Sequence, residues 1–328
     1  MPIMLGQSQA IRSVRAQLQR YASCDVQVLL EGETGTGKEL AAREIHYASA
    51  RRARPFVPVN CGAIPDSLIE NELFGHDRGA FTDARGAQPG LIDHARGGTL
   101  FLDEVDTLSS KGQVTLLRFL QDNEYRPVGG GVARISDARI IAASNVSLKL
   151  QVEAGCFRRD LQYRLHALYV RLPPLRERAG DIALLAEHFI DAVARRLRGT
   201  PKCWGEEALR ALAAYAWPGN VRELDNVTLR AYMGAAGAVI GLAELVAAES
   251  AFAGPELVTP IRTNHSGISF SAAKMRAIDT FEYDYLTQLM QRASGNISAA
   301  ARLSGTERRQ LGKLLRKHGI ETKSFQPQ

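Results

Sequence analysis

Three glycines and a lysine stand at fixed spacing in Gly32-Glu33-Thr34-Gly35-Thr36-Gly37-Lys38-Glu39. Such a stretch can turn with its N–H groups inward beside an ammonium, which is the chemistry of holding a polyphosphate. The apolar run Val26–Leu30 before it reads as a buried strand, and Leu40, Ala41, Ile45 and Ala48 after it recur at helical spacing. Strand, glycine-rich loop and helix N-terminus together place a positive dipole end at the loop. Lys38 is expected near the β- and γ-phosphates of such a ligand as a point charge. The plainer reading is a glycine-rich turn before an ordinary helix. Glu39 occupies the place where a Ser or Thr hydroxyl normally binds Mg²⁺, so either the metal is held elsewhere or the loop belongs to a special class of P-loop.

The second constellation is Gly97-Gly98-Thr99-Leu100-Phe101-Leu102-Asp103-Glu104, an apolar strand ending in adjacent carboxylates 65 positions after Lys38. One carboxylate can orient Mg²⁺ and its waters, and the next can polarise an attacking water. Alone the pattern is common; beside a phosphate loop it is the other half of an ATPase site. Asp103 is therefore the expected metal residue, acting through water.

Around these lie elements that must position them. Residues 1–22 read as an amphipathic helix with Ile11, Val14, Leu18 and Tyr21 on one face. Two further strand-like runs end in polar residues, Phe56–Asn60 and Ala138–Ser144 followed by Asn145. In an open parallel sheet the carboxyl ends of strands are where ligands bind, so Asn60 either approaches the nucleotide or only forms a turn, and Asn145 is placed to sense the γ-phosphate. Glu72–Ala84, with two glycines and two phenylalanines, suits a protruding loop; its Phe81 is either tucked back or displayed to a partner. Phe157–Leu165 is helix-like and carries Arg158 and Arg164, six apart and so off a common face. Arginine fingers stabilise a transferring phosphoryl group and often act across a subunit boundary; otherwise these arginines form a solvated face. From Asp181 to about Val246 the chain is helical, interrupted at Trp217-Pro218-Gly219-Asn220, which sets Arg222 in the first turn of the next helix. Ser250–Lys274 reads as a linker. Ile278–Ile320 returns to helical periodicity, with Phe281, Tyr285, Leu286 and Leu289 on one face. It ends in two short helices about Ser304-Gly305-Thr306, the second dense in Arg and Lys, as in a helix-turn-helix.

Composition narrows the classes. At 328 residues and 45% hydrophobic content the chain is globular and long enough for two or three domains. Cys24, Cys61, Cys156 and Cys203 are scattered without a C-x-x-C pair, which points to a reduced cytosolic compartment and away from zinc. No apolar run approaches ~18 residues, so no membrane span is expected, and the first ten residues lack the pattern of a signal peptide. Five of the net charge of +6 fall in the last 27 residues, seven basic against two acidic, which suggests a nucleic-acid module.

Together these residues resemble the bacterial enhancer-binding proteins, the AAA+ activators of sigma-54 RNA polymerase, over about Leu5 to Ile320. The markers are the loop 32–39, Glu-Leu-Phe-Gly-His (72–76), Gly-Ala-Phe-Thr-Asp-Ala (79–84), Leu-Pro-Pro-Leu-Arg-Glu-Arg (172–178) and Trp-Pro-Gly-Asn-Val-Arg-Glu-Leu (217–224). A Glu after the P-loop lysine is usual there. The resemblance implies an α/β fold: a P-loop AAA+ domain with a parallel sheet flanked by helices (1–178), a small all-α lid (179–248), a linker (249–275) and an all-α, Fis-like helix-turn-helix domain (276–328).

By position it implies ATP binding by Gly32, Glu33, Thr34, Gly35, Thr36, Gly37, Lys38 and Glu39, with Asn145 and Arg222 as the two sensors. Asp103 and Glu104 would be the Walker B pair, Asn60 the residue that holds Glu104 until the γ-phosphate is sensed, and Arg158 and Arg164 the trans-acting arginines. Gly79, Ala80, Phe81, Thr82, Asp83 and Ala84 would press on sigma-54, with Phe81 displayed. Arg302, Thr306, Arg308, Arg309, Lys313, Arg316 and Lys317 of the helix-turn-helix would face double-stranded enhancer DNA. The implied partners are the sigma-54 RNA polymerase holoenzyme and further copies of the chain, six in a ring, with a mixed ring including a related chain left open. Asp83 stands where the family usually has glycine, adding a charge and removing freedom at positive φ. That departure admits an alternative, a nucleotide-regulated DNA-binding repressor that no longer engages sigma-54. No receiver or ligand-sensing domain is expected before Leu5, so either control comes from a separate partner, or the protein is regulated by abundance, or the chain is a fragment.

Overall fold

Five apolar runs form one parallel sheet because each is apolar on both faces. Strands β1 (Val28–Glu31), β2 (Phe56–Asn60), β3 (Thr99–Asp103), β4 (Arg139–Ser144) and β5 (Leu168–Arg171) pair in the order β2-β3-β4-β1-β5. Alternate side chains enter different cores, as a two-residue period requires. Leu29, Leu100, Leu102, Ile140 and Ala142 point to one face, and Val28, Leu30, Phe101, Ile141 and Ala143 to the other. A parallel sheet apolar on both sides must be covered on both. Helices α1 (Gln9–Ala22) and α2 (Lys38–Ala48) cover the second face, while the short helix Ile69–Phe74, α3 (Ser110–Asp122) and α4 (Arg159–Leu165) cover the first.

This computed structural model describes residues 4–81, 84, 86–178, 180–253, 282, 285–287, 289–290, 293, 295–306 and 308–319, and the chain divides into the units Met1–Gly254 and Pro255–Gln328. The β2–β3 register sets Asn60 opposite Asp103, and the β1–β4 register sets Glu31 opposite Ser144. The polar strand ends therefore lie along one edge of the sheet.

Helices α5 (Asp181–Leu197), α6 (Glu206–Ala214), α7 (Asn220–Gly234) and α8 (Leu242–Ala248) enclose their own core around Leu185, Trp204, Leu212, Trp217, Leu224 and Val227. A two-residue parallel pairing, Cys203–Trp204 with Val239–Ile240, ties this bundle together; strands so short leave no periodicity in a sequence. The joint to the sheet is a buried carboxylate. Asp181 accepts from Gln7 N (2.6 Å), Ser8 N (2.9 Å), Ser8 Oγ (2.7 Å) and Arg178 Nε (3.1 Å). Ser8 also caps α1, which begins at Gln9 rather than at the chain start expected from the sequence.

In the second unit, helices α9 (Ile297–Ser304) and α10 (Arg308–Lys317) follow the Asn296 cap, and Gly305 adopts φ 64° at the end of α9. Their core is Leu286, Leu289, Met290, Ala293, Ala300, Ala301, Leu311 and Leu315. Tyr285, expected on the buried face, is exposed. The linker stretch 254–275 and Phe281 lie outside the described residues.

Trp217 is fully buried at φ 52°, donates Nε1 to Leu212 O at 2.8 Å and meets Tyr215 edge-on. Trp217→Ala is expected to cost about 3–5 kcal/mol of lid stability, read as a shift of the urea transition by circular dichroism. A loss below about 1 kcal/mol, as at an ordinary surface position, would contradict this packing.

Candidate functional site

The phosphate loop is built as its sequence demands. Gly35 and Gly37 adopt φ 80° and 99°, where other residues are strained. No side chain caps α2, so the amides of its first turn are left for an anion. Lys38, 6% exposed, donates Nζ to Gly32 O (2.7 Å), Glu33 O (3.2 Å) and Asn145 Oδ1 (2.7 Å). Burial pushes its ammonium below the usual lysine range, while Asp103, Asp106 and Glu104 push the other way.

Above the loop is a cavity of about 370 Å³. Thr34, Gly35, Gly37, Lys38, Glu39, Asp103, Glu104, Asn145 and Arg222 line it, together with Leu40, Phe189, Val221 and Asp225. Seven of the ten nucleotide residues read from the sequence line this cavity, and Gly32, Glu33 and Thr36 do not. Glu39 is held by Arg43 one turn along α2 (2.7 Å), and Thr36 turns its hydroxyl back to Glu33 O (2.7 Å). Burial raises the Asp103 carboxyl; the bond from Glu104 N (2.9 Å) and the Lys38 charge oppose this. Glu104 itself sits at φ 56°.

Asn60 does not bond Glu104. Its Oδ1 accepts from Gly62 N (2.9 Å) and Ala63 N (3.2 Å), closing a 3₁₀ turn. The two side chains nonetheless flank one point: a Cβ at Gly62 would lie 3.0 Å from Glu104 Oε2 and 3.3 Å from Asn60 Oδ1. Asn145 is held from behind, its N–H donating to Asp106 Oδ1 at 3.0 Å.

Arg158 and Arg164 stand away from this cavity. Arg158 pairs with Asp160 (2.6 Å) on the exposed start of α4. Arg164 is committed within its own chain, donating Nε to Leu120 O (2.6 Å) and Nη2 to Gln121 O (3.0 Å) at the end of α3. In the protruding loop, Phe81 is 46% exposed and its ring lies 4.9 Å from that of His76, between the tucked-back and displayed extremes. Gly79 takes φ 83° and Ala84 is buried; Thr82 and Asp83 lie outside the described residues. On the second unit Arg302, Arg308, Arg309, Lys313 and Arg316 are exposed. Lys317 is engaged by Glu282 (2.8 Å), and the Thr306 hydroxyl lies 3.4 Å from Ser304 O.

Sequence reading missed the latch between loop and bundle. Asn220, fully buried at φ 54°, donates Nδ2 to Thr34 O (3.0 Å) and Glu33 Oε2 (3.2 Å) and accepts from Leu175 N (2.8 Å). Val221 N donates to Gly35 O at 3.0 Å. Arg176 grips Glu33 with both Nη atoms (2.8 and 2.5 Å). The one local signal was Asn after Pro-Gly, since Asn tolerates left-handed backbone; the partners are more than 140 residues away in sequence.

A phosphate loop whose floor carries an acidic pair and whose roof is a helical bundle hydrogen-bonded to it defines a P-loop nucleoside triphosphatase of AAA+ architecture. Comparison with known proteins refines that class. The family described as "Sigma-54 interaction domain" matches residues 4–171, "AAA+ ATPase lid domain" residues 176–253, and "Bacterial regulatory protein, Fis family" residues 277–318. The chain is 41% identical over 308 residues to the transcriptional regulatory protein ZraR of Salmonella typhimurium, covering 94% of this chain and 67% of that one. It is 42% identical over 315 residues to the hydrogenase transcriptional regulatory protein HoxA of Cupriavidus necator, covering 96% and 64%. NtrX from Brucella abortus, solved in complex with ATP, superposes with a TM-score of 0.71 at 32% identity, covering 97% of this chain and 69% of that one. The protein belongs to the sigma-54 interaction family, and its catalytic module is that of an ATPase. It spans between 58% and 67% of the length of such relatives as AnfA of Azotobacter vinelandii and ZraR.

Two outcomes test this geometry. A Cβ on Gly35 would sit 2.2 Å from Gly219 O, and its φ is positive. Gly35→Ala should therefore weaken binding of a fluorescent ATP analogue at least about fivefold, as strain of order 1–3 kcal/mol implies; unchanged affinity would contradict it. Glu33 is pulled from 4.5 to about 2, by the Arg176 bond first and, against burial, by Asn220. A depressed carboxylate stabilises above its ordinary value and loses that contribution as pH falls through the folded one. The melting-temperature gap between wild type and Glu33→Gln should be steady above 4.5 and shrink as pH falls toward about 2; a gap that grows on acidification would contradict the latch.

Proposed function

We propose that the chain is a ring-forming, ATP-driven activator that remodels the closed complex of sigma-54 RNA polymerase at a promoter, while residues 276–328 hold it to upstream double-stranded DNA. The observation that carries the reading is the approach of Glu104 to Gly62. The turn containing Gly62 leads into helix Ile69–Phe74 and then into the Phe81 loop, so a carboxylate facing the nucleotide touches the base of the element that ends in an exposed aromatic. A change at Glu104 on ATP binding or hydrolysis is then transmitted through the Asn60 turn to Phe81.

In this mechanism Lys38 and the amides of α2 receive the β- and γ-phosphates, Asn145 and Arg222 register them, and Glu104 polarises the attacking water. Asp103 fits Mg²⁺. It is a partly buried carboxylate on the cavity wall, and among the described residues no group of three His, Cys, Asp or Glu could hold a metal. A single carboxylate beside substrate phosphates suits that hard cation. When bound, Mg²⁺ would neutralise charge on the phosphates.

Arg158 is the finger offered to the next subunit, its exposed pair with Asp160 being cheap to release in water. Arg164, with Nε and Nη2 already engaged at the end of α3, is less free for such a task. Hydrolysis sites completed by a neighbour require a heterologous interface that closes into a ring; six copies is the number the family resemblance implies. Arg302, Arg308, Arg309, Lys313 and Arg316 present the positive surface a DNA backbone needs, and tethering raises the ring's effective concentration at the polymerase. The place of action is the cytoplasm, where the promoter is.

The test is open-complex formation at a sigma-54 promoter with ATP. Wild type should open the promoter; Phe81→Ala should hydrolyse ATP without opening it; Lys38→Ala should lose ATP binding while retaining DNA binding. Wild type that hydrolyses ATP yet never opens the promoter, alone or with a related chain, would favour the repressor alternative that Asp83 admits.

A further inference from the structure

Gln113, in the first turn of α3, is 2% exposed. A carboxamide so deeply buried is costly unless its hydrogen bonds are met, and here they are. Nε2 donates to Leu108 O (2.9 Å) and to Cys156 O (3.1 Å), and Oε1 accepts from Arg158 N (2.9 Å). Two carbonyls and one N–H admit a single orientation of the group, so the assignment of N and O follows from its partners.

One side of this clamp is the turn that leaves the acidic pair. Thr107 donates N (3.0 Å) and Oγ1 (2.7 Å) to Glu104 O, and Leu108 N donates to Val105 O at 3.3 Å. The other side is the backbone from which the Arg158 guanidinium extends. Phe157 is buried, yet among the described residues the Arg158 side chain pairs only with exposed Asp160, two residues on. Where the guanidinium reaches is therefore set by its backbone. Arg164 joins the same two helices at their other end. With Gln113 in place α4 is fixed to α3 at both ends; without it, Cys156 N and Phe157 N still donate to Gln151 O (2.9 and 3.2 Å) and Arg164 still holds the far end, but the N–H of Arg158 loses its tie to α3.

We infer that Gln113 is a positioning residue that holds the Arg158 guanidinium in place for the neighbouring subunit's ATP site. This rests on the reading of Arg158 as acting across the subunit boundary.

The test mixes full-length variants that are each inactive as ATPases. Glu104→Gln subunits have a dead site but an intact finger, and Arg158→Ala subunits the reverse, so their mixture should regain ATP turnover. Adding Gln113→Leu to the Glu104→Gln subunits should cut that regained turnover at least about tenfold, a fraction of the 10³–10⁵ a whole finger supplies. Adding it to the Arg158→Ala subunits should leave the regained turnover unchanged, which also shows that Gln113→Leu subunits fold and bind ATP. Gln113→Glu, which keeps an acceptor for Arg158 N but sets a carboxylate against the Leu108 and Cys156 carbonyls, should show the same asymmetry. Equal loss in both placements, or none in either, overturns the inference. If the two parent variants fail to complement, the trans-acting reading itself fails and takes the inference with it.

Discussion

A lysine ammonium that is 6% exposed cannot stand without partners, and the architecture of the ATP site follows from supplying them. An isolated ammonium in such a place would cost several kcal/mol in lost hydration. Lys38 spends its donors on two carbonyls of its own loop and on Asn145 at the end of the adjacent strand. This requires β1 and β4 to be neighbours in parallel, so that the loop after one faces the residue after the other. It also requires glycine at 35 and 37, because the loop must curl at positive φ to bring its carbonyls round. Polyphosphate oxygens would replace these neutral acceptors of the ammonium with charged ones.

That replacement is felt in two directions. Outward, the loop carbonyls of Thr34 and Gly35 hold Asn220 and Val221 at the head of α7, and Glu33 holds Arg176. A shift in the loop therefore reaches the helical bundle without crossing a flexible joint. Inward, Asp103 and Glu104 share the cavity wall, and Glu104 lies against the turn that begins the path to Phe81. One cavity thus touches the lid and, through Glu104, the turn at Gly62, while the turn after Glu104 is joined through Gln113 of α3 to the arginine-bearing helix α4.

Four strands of the sheet and its ligand edge were legible, because they form apolar runs that end in residues of obvious chemistry, Gly32, Asn60, Asp103 and Asn145; the short fifth strand, Leu168–Arg171, was not read. Helix α10 was legible from its charge. The latch was not. Asn220 read as a turn former, and nothing local reveals that its amide reaches Thr34 or that Arg176 reaches Glu33. Arg164 shows the complementary error of reading an arginine by type: the sequence offers a free guanidinium, whereas the fold spends two of its nitrogens on the carbonyl end of α3. Gln113 left no signal at all, since a glutamine in an amphipathic helix is ordinarily a surface residue.

The most direct measurement is capture of purified sigma-54 by the full chain in the presence of ADP–aluminium fluoride, compared with ADP alone and with no nucleotide. If the nucleotide cavity governs the Phe81 loop, sigma-54 is retained with the transition-state mimic and released in the other two conditions. Retention that is equal in all three, or absent with the mimic, would contradict the coupling between Glu104 and the loop on which the proposed activity depends.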